Sequence, residues 1–169
     1  MDFLTLCADR YSVRSFAPTP ISDEVLSRIL EAGRLAPTAK NQQPQRIFVI
    51  QSPEAMATLT SVRTCYGAPV ALLVCADTAA ACDRPVTDHN MGEMDASIVA
   101  THMMLAAADA GVGSCWMCAF SPAAMAEAFH LPANIVPCLV MPLGYPDEKG
   151  TPSPRHTDRY PLDHTVQYL

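Results

Sequence analysis

At 169 residues, with half of them hydrophobic and 17% charged, the chain has the composition of a globular protein and the length for one domain with a real core. The net charge of −6 argues against a nucleic-acid binder, which normally presents a basic face, and discourages an anionic membrane as partner. The longest apolar runs, such as APVALLVCA (residues 68–76), are too short to span a bilayer, and the N-terminal MDFLTLCADRYSVRSF lacks the apolar core of a signal peptide. Seven cysteines, scattered without a framework spacing, read as reduced thiols and place the chain in the cytoplasm.

In chain order, residues 2–9 predict a short helix running into DRYSVRSF. In PISDEVLSRILEAGRLAP, Ser22 suits an N-cap and Asp23 and Glu24 the first turn. Val25/Leu26, Ile29/Leu30 and Gly33 recur at helical spacing, and Pro37 ends the helix. RIFVIQ (46–51) reads as a strand. Ser52 and Pro53 then open a second capped helix. Residues 68–76 form a continuous apolar run, as a buried strand does, and the polar residues 78–90 predict a loop. Residues 92–111 make the longest helix, apolar around most of its circumference, so it sits at the centre of a domain or at an interface. GSCWMCAF (113–120) is strand-like, and SPAAMAEAFHLP is a Ser-Pro-capped helix stopped at Pro132. IVPCLVMPLGYP (135–146) is a third long strand, whose Pro137 and Pro142 fit an edge or irregular position. Residues 147–169 are Pro-rich and polar with an apolar end. Such a tail docks on its own subunit or on a second one. The order of elements is that of helices and strands mixed in two or three layers, in a single domain over 1–169.

The motifs are informative first by absence. There is no G-x-x-x-x-G-K-[ST], and GVGSCW fails the third glycine of G-x-G-x-x-G, so any bound phosphate is held by side chains such as arginine forks. If RYSVR is extended, Arg10, Ser12 and Arg14 project to one face and make a phosphate cradle; the alternative is solvated surface arginines. The loop APTAKNQQPQ (36–45) is rich in amides that can read a heteroaromatic edge, or it is an ordinary polar turn. His89, Glu93 and Asp95 lie loosely together without metal-ligand spacing, so no metal site is expected, and His102 reads as a hydrogen-bonded core residue. No nucleophile motif accompanies them. The methionines, Met117 included, read as core filler. The Cys115-x-x-Cys118 pair could be a dithiol centre. A strand period, however, sends Cys115 and Met117 one way and Trp116 and Cys118 the other, so the thiols cannot easily pair.

Taken together, these stretches resemble the FMN-dependent nitroreductase family in its short form. The matching elements are RYSVR, RLAPTAKNQQP, MDASIVATHMMLAA, GVGSCWMCAF, PLGYP and the arginine of PSPR, in family order across nearly the whole chain. The resemblance implies an α+β fold with a mixed, largely antiparallel sheet flanked by helices. It also implies a domain-swapped homodimer with two FMN sites at the interface, residues 147–169 wrapping the partner. By the same resemblance Arg10, Tyr11, Ser12 and Arg14 hold the phosphate and ribityl chain, with Arg155 on the phosphate. Pro37, Thr38, Ala39 and Asn41 line the isoalloxazine ring from the other subunit. Trp116, Met117 and Cys118 run along the flavin, with the Cys118 backbone N–H near N5. The implied reaction passes hydride from NADH or NADPH through flavin N5, in ping-pong fashion, to a small-molecule acceptor such as a nitroaromatic or quinone. No side chain serves as catalytic acid or base. Two departures bear on substrate: Gln45 stands where the family often has Trp, and the stretch between Ala76 and Gly92 is short, so the pocket lid is reduced. A non-catalytic, flavin-sequestering protein on the same fold is the alternative.

Overall fold

The computed structural model describes residues 2–83 and 90–169. Helix α1 (Phe3–Asp9) is capped by Asp2, and α2 (Asp23–Arg34) by Ser22, whose hydroxyl accepts the Val25 N–H. Strand β1 (Gln45–Ile50) leads into α3 (Pro53–Val62) through the Ser52-Pro53 start, and β2 (Val70–Asp77) follows. Next come the long α4 (Gly92–Asp109), a two-residue β3 (Gly113–Ser114), α5 (Pro122–Ala128) and β4 (Ile135–Gly144). The tail holds one 3-10 turn (Pro154–Thr157) and the four-residue α6 (Leu162–Thr165). Of the expected loop 78–90, residues 84–89 lie outside the described residues, as does His89.

The strands form one sheet in the order β1-β2-β4-β3, every pair antiparallel. The expected mixed character reduces, among the described residues, to a single parallel bridge between Ser12 and Ser114. Even-numbered residues of β2, Val70, Leu72, Val74 and Ala76, face a core shared with α2 and α4; odd-numbered Ala71, Leu73 and Cys75 face a second core with α3 and α5. Burial on both faces explains why this strand reads as one apolar run without alternation.

Three sequence expectations narrow or change. Of the two places its prolines allowed, edge or irregular, β4 takes the second: it is an interior strand with a bulge. Its prolines are tolerated because Pro137 sits at the β-bulge where the β2 register skips, and Pro142 turns its missing N–H toward β3, which pairs over two residues. GSCWMCAF pairs as a regular strand only at Gly113 and Ser114; beyond that, the Cys115 N–H donates to the Pro142 carbonyl (3.3 Å) and Met117 bridges to Val140. Finally, α5 ends at Ala128 rather than at Pro132, with His130 in the left-handed region (φ 52°) turning the chain toward β4. Where α2 crosses α4, a Cβ on Gly33 would lie 2.7 Å from Met103 Cγ. The glycine therefore sets the close approach that carries the loop after α2 onto the α4 N-terminus.

Candidate functional site

The RYSVR stretch leaves α1 extended, with Arg10 at φ −62° and ψ 125°. The Val13 N–H donates to the Ser114 carbonyl (2.9 Å), and the Val13 side chain is buried against Gly113, where a Cβ would lie 2.6 Å from Val13 Cγ2. With Val13 pinned inward, the period of an extended chain turns Ser12 and Arg14 outward. Tyr11 ties this segment to the tail: its hydroxyl donates to the Gly150 carbonyl (2.9 Å), and its ring meets that of His156 edge-on at 6.0 Å. Ser153 then caps the 3-10 turn, accepting the Arg155 N–H.

The result is an open cavity of about 400 Å³, walled by Arg10, Tyr11, Ser12 and Arg14 on one side and by Ser153, Arg155, His156 and Arg159 on the other. None of these four arginines forms an ion pair among the described residues. Arg159 is steadied instead by the carbonyls of Arg155 (3.3 Å) and Asp158 (2.7 Å). Gathering like charges without a carboxylate is unfavourable by Coulomb's law, and an anion at the centre reverses the sign of that term. In a chain of net charge −6, the cluster is a local departure that suits a phosphate dianion. Ser153, His156 and Arg159 were not foreseen; the R-x-x-x-R spacing of Arg155 and Arg159 was their one trace in the sequence.

The second element is the loop after α2. Ala39–Asn41 form one 3-10 turn, and Lys40, Asn41 and Gln43 all adopt positive φ (50°, 55° and 51°). Non-glycine residues held there cost on the order of 1–3 kcal/mol each, a strain that gathers at binding sites. Thr38 folds the loop on itself, its carbonyl accepting the Asn41 N–H (2.9 Å) and its hydroxyl the Gln43 N–H (3.0 Å). The buried Asp95 of α4 accepts the Ala39 N–H at 2.9 Å. Pro37 and Asn41 are exposed, Thr38 and Ala39 half-buried. None of them lines the arginine cavity of the same chain.

The third element is the segment after β3. Met117 is buried in the α3/α5 core, and both its N–H and its carbonyl bond Val140; its side chain therefore faces away from the exposed Cys118. Trp116 packs on the α2/α4 core, and its Nε1–H donates to the Cys118 sulfur (3.1 Å). The Cys118 backbone N–H donates to no group among the described residues. Cys115 is buried in the α3/α5 core while Cys118 is exposed, so the C-x-x-C is not a dithiol centre. All seven cysteines are free. Burial pushes the Cys65 and Cys138 thiols up to about 11 and Cys75 to about 12. It raises Cys115 as well, against the opposing influence of Arg14 and Ser12. Such thiols are protonated and unreactive at neutral pH. His102, expected in the core, is instead exposed, its Nδ1 on the Ile98 carbonyl (2.9 Å). Among the described residues no helix is long and apolar enough to cross a membrane, and no three His, Cys, Asp or Glu side chains converge on a common point.

These elements match those of known proteins. The sequence model of the nitroreductase family matches residues 7–63 and 57–145. An Archaeoglobus fulgidus protein, named as a candidate NADH dehydrogenase/NAD(P)H nitroreductase, is 33% identical over 156 residues, covering 86% of this chain and 87% of its own. The solved structure of a nitroreductase family protein from Clostridium difficile 630 superposes with a TM-score of 0.94 at 38% identity, covering 99% of this chain and 98% of that one. A candidate nitroreductase from Desulfovibrio desulfuricans, solved in complex with FMN, superposes with a TM-score of 0.79 at 29% identity over 98% of this chain and 95% of its own. The α+β sheet, the capped helices around it and the match along the chain have one explanation: this protein belongs to the nitroreductase family of oxidoreductases.

Proposed function

We propose that the chain is an FMN-dependent oxidoreductase that takes electrons from NADH or NADPH and passes them to a small-molecule acceptor such as a nitroaromatic or quinone. The observation that carries this reading is the cavity walled by Arg10, Arg14, Arg155 and Arg159, four guanidinium groups without an acidic partner among the described residues. The fit to FMN is chemical: a dianionic phosphate matches the arginines, and the hydroxyls of Ser12 and Ser153 supply further hydrogen bonds. The free N–H of Cys118 is a donor suited to flavin N5, held in place because Met117 beside it spends both backbone groups on β4. When bound, FMN supplies the two-electron chemistry, as hydride at N5. The protein binds and orients the cofactor, and no residue is required as acid or base.

The assembly proposed is a domain-swapped homodimer of one domain per chain, residues 1–169, in the cytoplasm. It is supported by the tail, in which Tyr160, Leu162, Val166, Tyr168 and Leu169 are all exposed and touch no core of their own chain. It is supported also by the 37–41 loop, whose separation from the arginine cavity within one chain suits a contribution across an interface. In this arrangement Pro37, Thr38, Ala39 and Asn41 line the ring bound mainly by the partner, and Trp116 and Cys118 flank it.

The test is the visible spectrum of the purified protein before and after anaerobic NAD(P)H, followed by menadione or a nitroarene. A flavin spectrum that bleaches with NAD(P)H and returns with acceptor is expected. Purified protein that neither carries nor takes up FMN overturns the reading; bound FMN that NAD(P)H leaves oxidised points to the flavin-sequestering alternative.

A further inference from the structure

Asp95 is the one acidic side chain among the described residues that is essentially fully buried, 1% exposed, and the proposed chemistry makes no use of it. It lies in the first turn of α4, where the helix dipole favours a negative charge and where the N-cap residue, Met91, makes no side-chain cap. From there Oδ1 accepts the Ala39 N–H at 2.9 Å, across 56 positions of sequence. This is the only hydrogen bond joining residues 38–41 to another part of the fold among the described residues. The far end of the loop is held separately, through Arg46 on the Gln43 carbonyl (3.2 Å). The loop is strained at Lys40, Asn41 and Gln43, so its shape is not what a free chain of these residues would choose. The bonds of Thr38 hold the turn from within, and the Asp95 carboxylate is placed to fix it from outside. Asp95 Oδ2 has no partner among the described residues, and neither does Gln45 Oε1, which lies on the α4-facing side of β1. A buried carboxylate oxygen with no protein donor is unfavourable.

We infer that Asp95 is a positioning residue: its buried carboxylate holds the Ala39 amide and thereby sets the conformation of the loop 38–41 that lines the flavin ring. The inference rests on the proposed flavin site for its functional half. Its structural half is readable without flavin.

The experiment compares Asp95→Ala with Asp95→Asn in the full-length protein. The asparagine keeps an oxygen for the Ala39 N–H and offers a donor where Oδ2 has none. Losing a hydrogen bond to a charged group corresponds to about a tenfold loss or more, so Asp95→Ala is expected to weaken FMN binding by about tenfold and Asp95→Asn by less than about threefold. Binding of inorganic phosphate at the arginine cavity is expected to stay unchanged in both. Hydrogen exchange is expected to show the Ala39 amide protected in the wild type and in Asp95→Asn, and unprotected in Asp95→Ala. Unchanged Ala39 protection in Asp95→Ala overturns the inference. So does an equal loss of FMN affinity in the two variants, or a parallel loss of phosphate binding. If the wild type binds no FMN, the proposed function fails while the exchange measurement still decides the anchor. Ala39→Pro approaches the same bond from the donor side should Asp95→Ala not fold. Thr38, at φ −134° and ψ 159°, already has the backbone that a following proline requires. It is expected to match the FMN loss of Asp95→Ala, and wild-type affinity in Ala39→Pro would refute the anchor.

Discussion

The arginine cavity and the loop 37–43 are two halves of one proposed site, built on opposite principles. The cavity is made of side chains. Arg10, Arg14, Arg155 and Arg159 come from the two ends of the chain and meet because Val13 is pinned under β3 and Tyr11 holds Gly150. Its specificity is charge, which tolerates small displacements. The loop is made of backbone. Its amides point where they do because three residues occupy left-handed conformations and one buried carboxylate holds the Ala39 N–H. Its specificity is shape, which does not tolerate displacement. Loss of a side chain should therefore harm the cavity in proportion to charge removed, whereas the loop should respond to the geometry of a single bond.

The sharpest break of this comparison is the double variant Arg14→Ala/Arg155→Ala. Each guanidinium–phosphate contact is worth about 1.5–3 kcal/mol, so FMN affinity should fall by about a hundredfold or more, with Arg14→Ala alone costing about tenfold. Fluorescence titration of FMN into the apoprotein measures both, and near-wild-type affinity in the double variant would remove the phosphate assignment. Gly113→Ala comes next. The added methyl meets Val13 Cγ2 at 2.6 Å and the Gly144 carbonyl at 3.1 Å, neither of which is a flexible chain end. Overpacking of this kind costs about 1–3 kcal/mol, visible as a lower urea midpoint, and should weaken FMN binding too, because Val13 aims Ser12 and Arg14. An unchanged midpoint would mean that Val13 does not set the cavity wall.

Acid provides a smaller, graded probe. The Asp77 carboxyl is held below its ordinary 3.8 first by the Asn134 side chain, with Arg46 contributing; Asp147 is held below the same value first by the Ser15 hydroxyl. Lowered folded values mean that this stability is fully present above about pH 4 and is lost as pH falls through them. Asn134→Ala should therefore flatten the acid limb of the stability curve, and Ser15→Ala should do the same with Asp147, which lies at the start of the tail. The smallest effect belongs to Cys115→Ser/Cys118→Ser: full reductase activity with NAD(P)H is expected, since one thiol is buried on one side of the sheet and the other exposed on the opposite side. Loss of turnover with FMN still bound would return a thiol to the mechanism.

Local signals in the sequence determined much of the fold. Ser22, Ser52-Pro53 and Ser121-Pro122 each start a helix where they were read to, because capping is decided within four residues. The apolar run at β2 marks a strand covered on both faces, and the period of RYSVR sets Ser12 and Arg14 opposite Val13, because alternation is a property of extended backbone itself. What the tertiary structure decided depends on neighbours that no local window contains. The prolines of β4 suggested an edge or an irregular strand; the bulge at Cys75 supplies the irregularity, and with the shortness of β3 it makes an interior place for them. GSCWMCAF reads as a strand, yet only Gly113 and Ser114 pair in full, since the next residue of β4 is Pro142, which accepts the Cys115 N–H but has none to return. Arg159 and His156 join the cavity only because the tail folds back over Tyr11. The role of Asp95 is invisible in MDASIVATHMM, where an acid in a first helical turn is unremarkable. It emerges only when the chain brings Ala39 within 2.9 Å, because a hydrogen bond over 56 positions is a fact of packing and not of sequence.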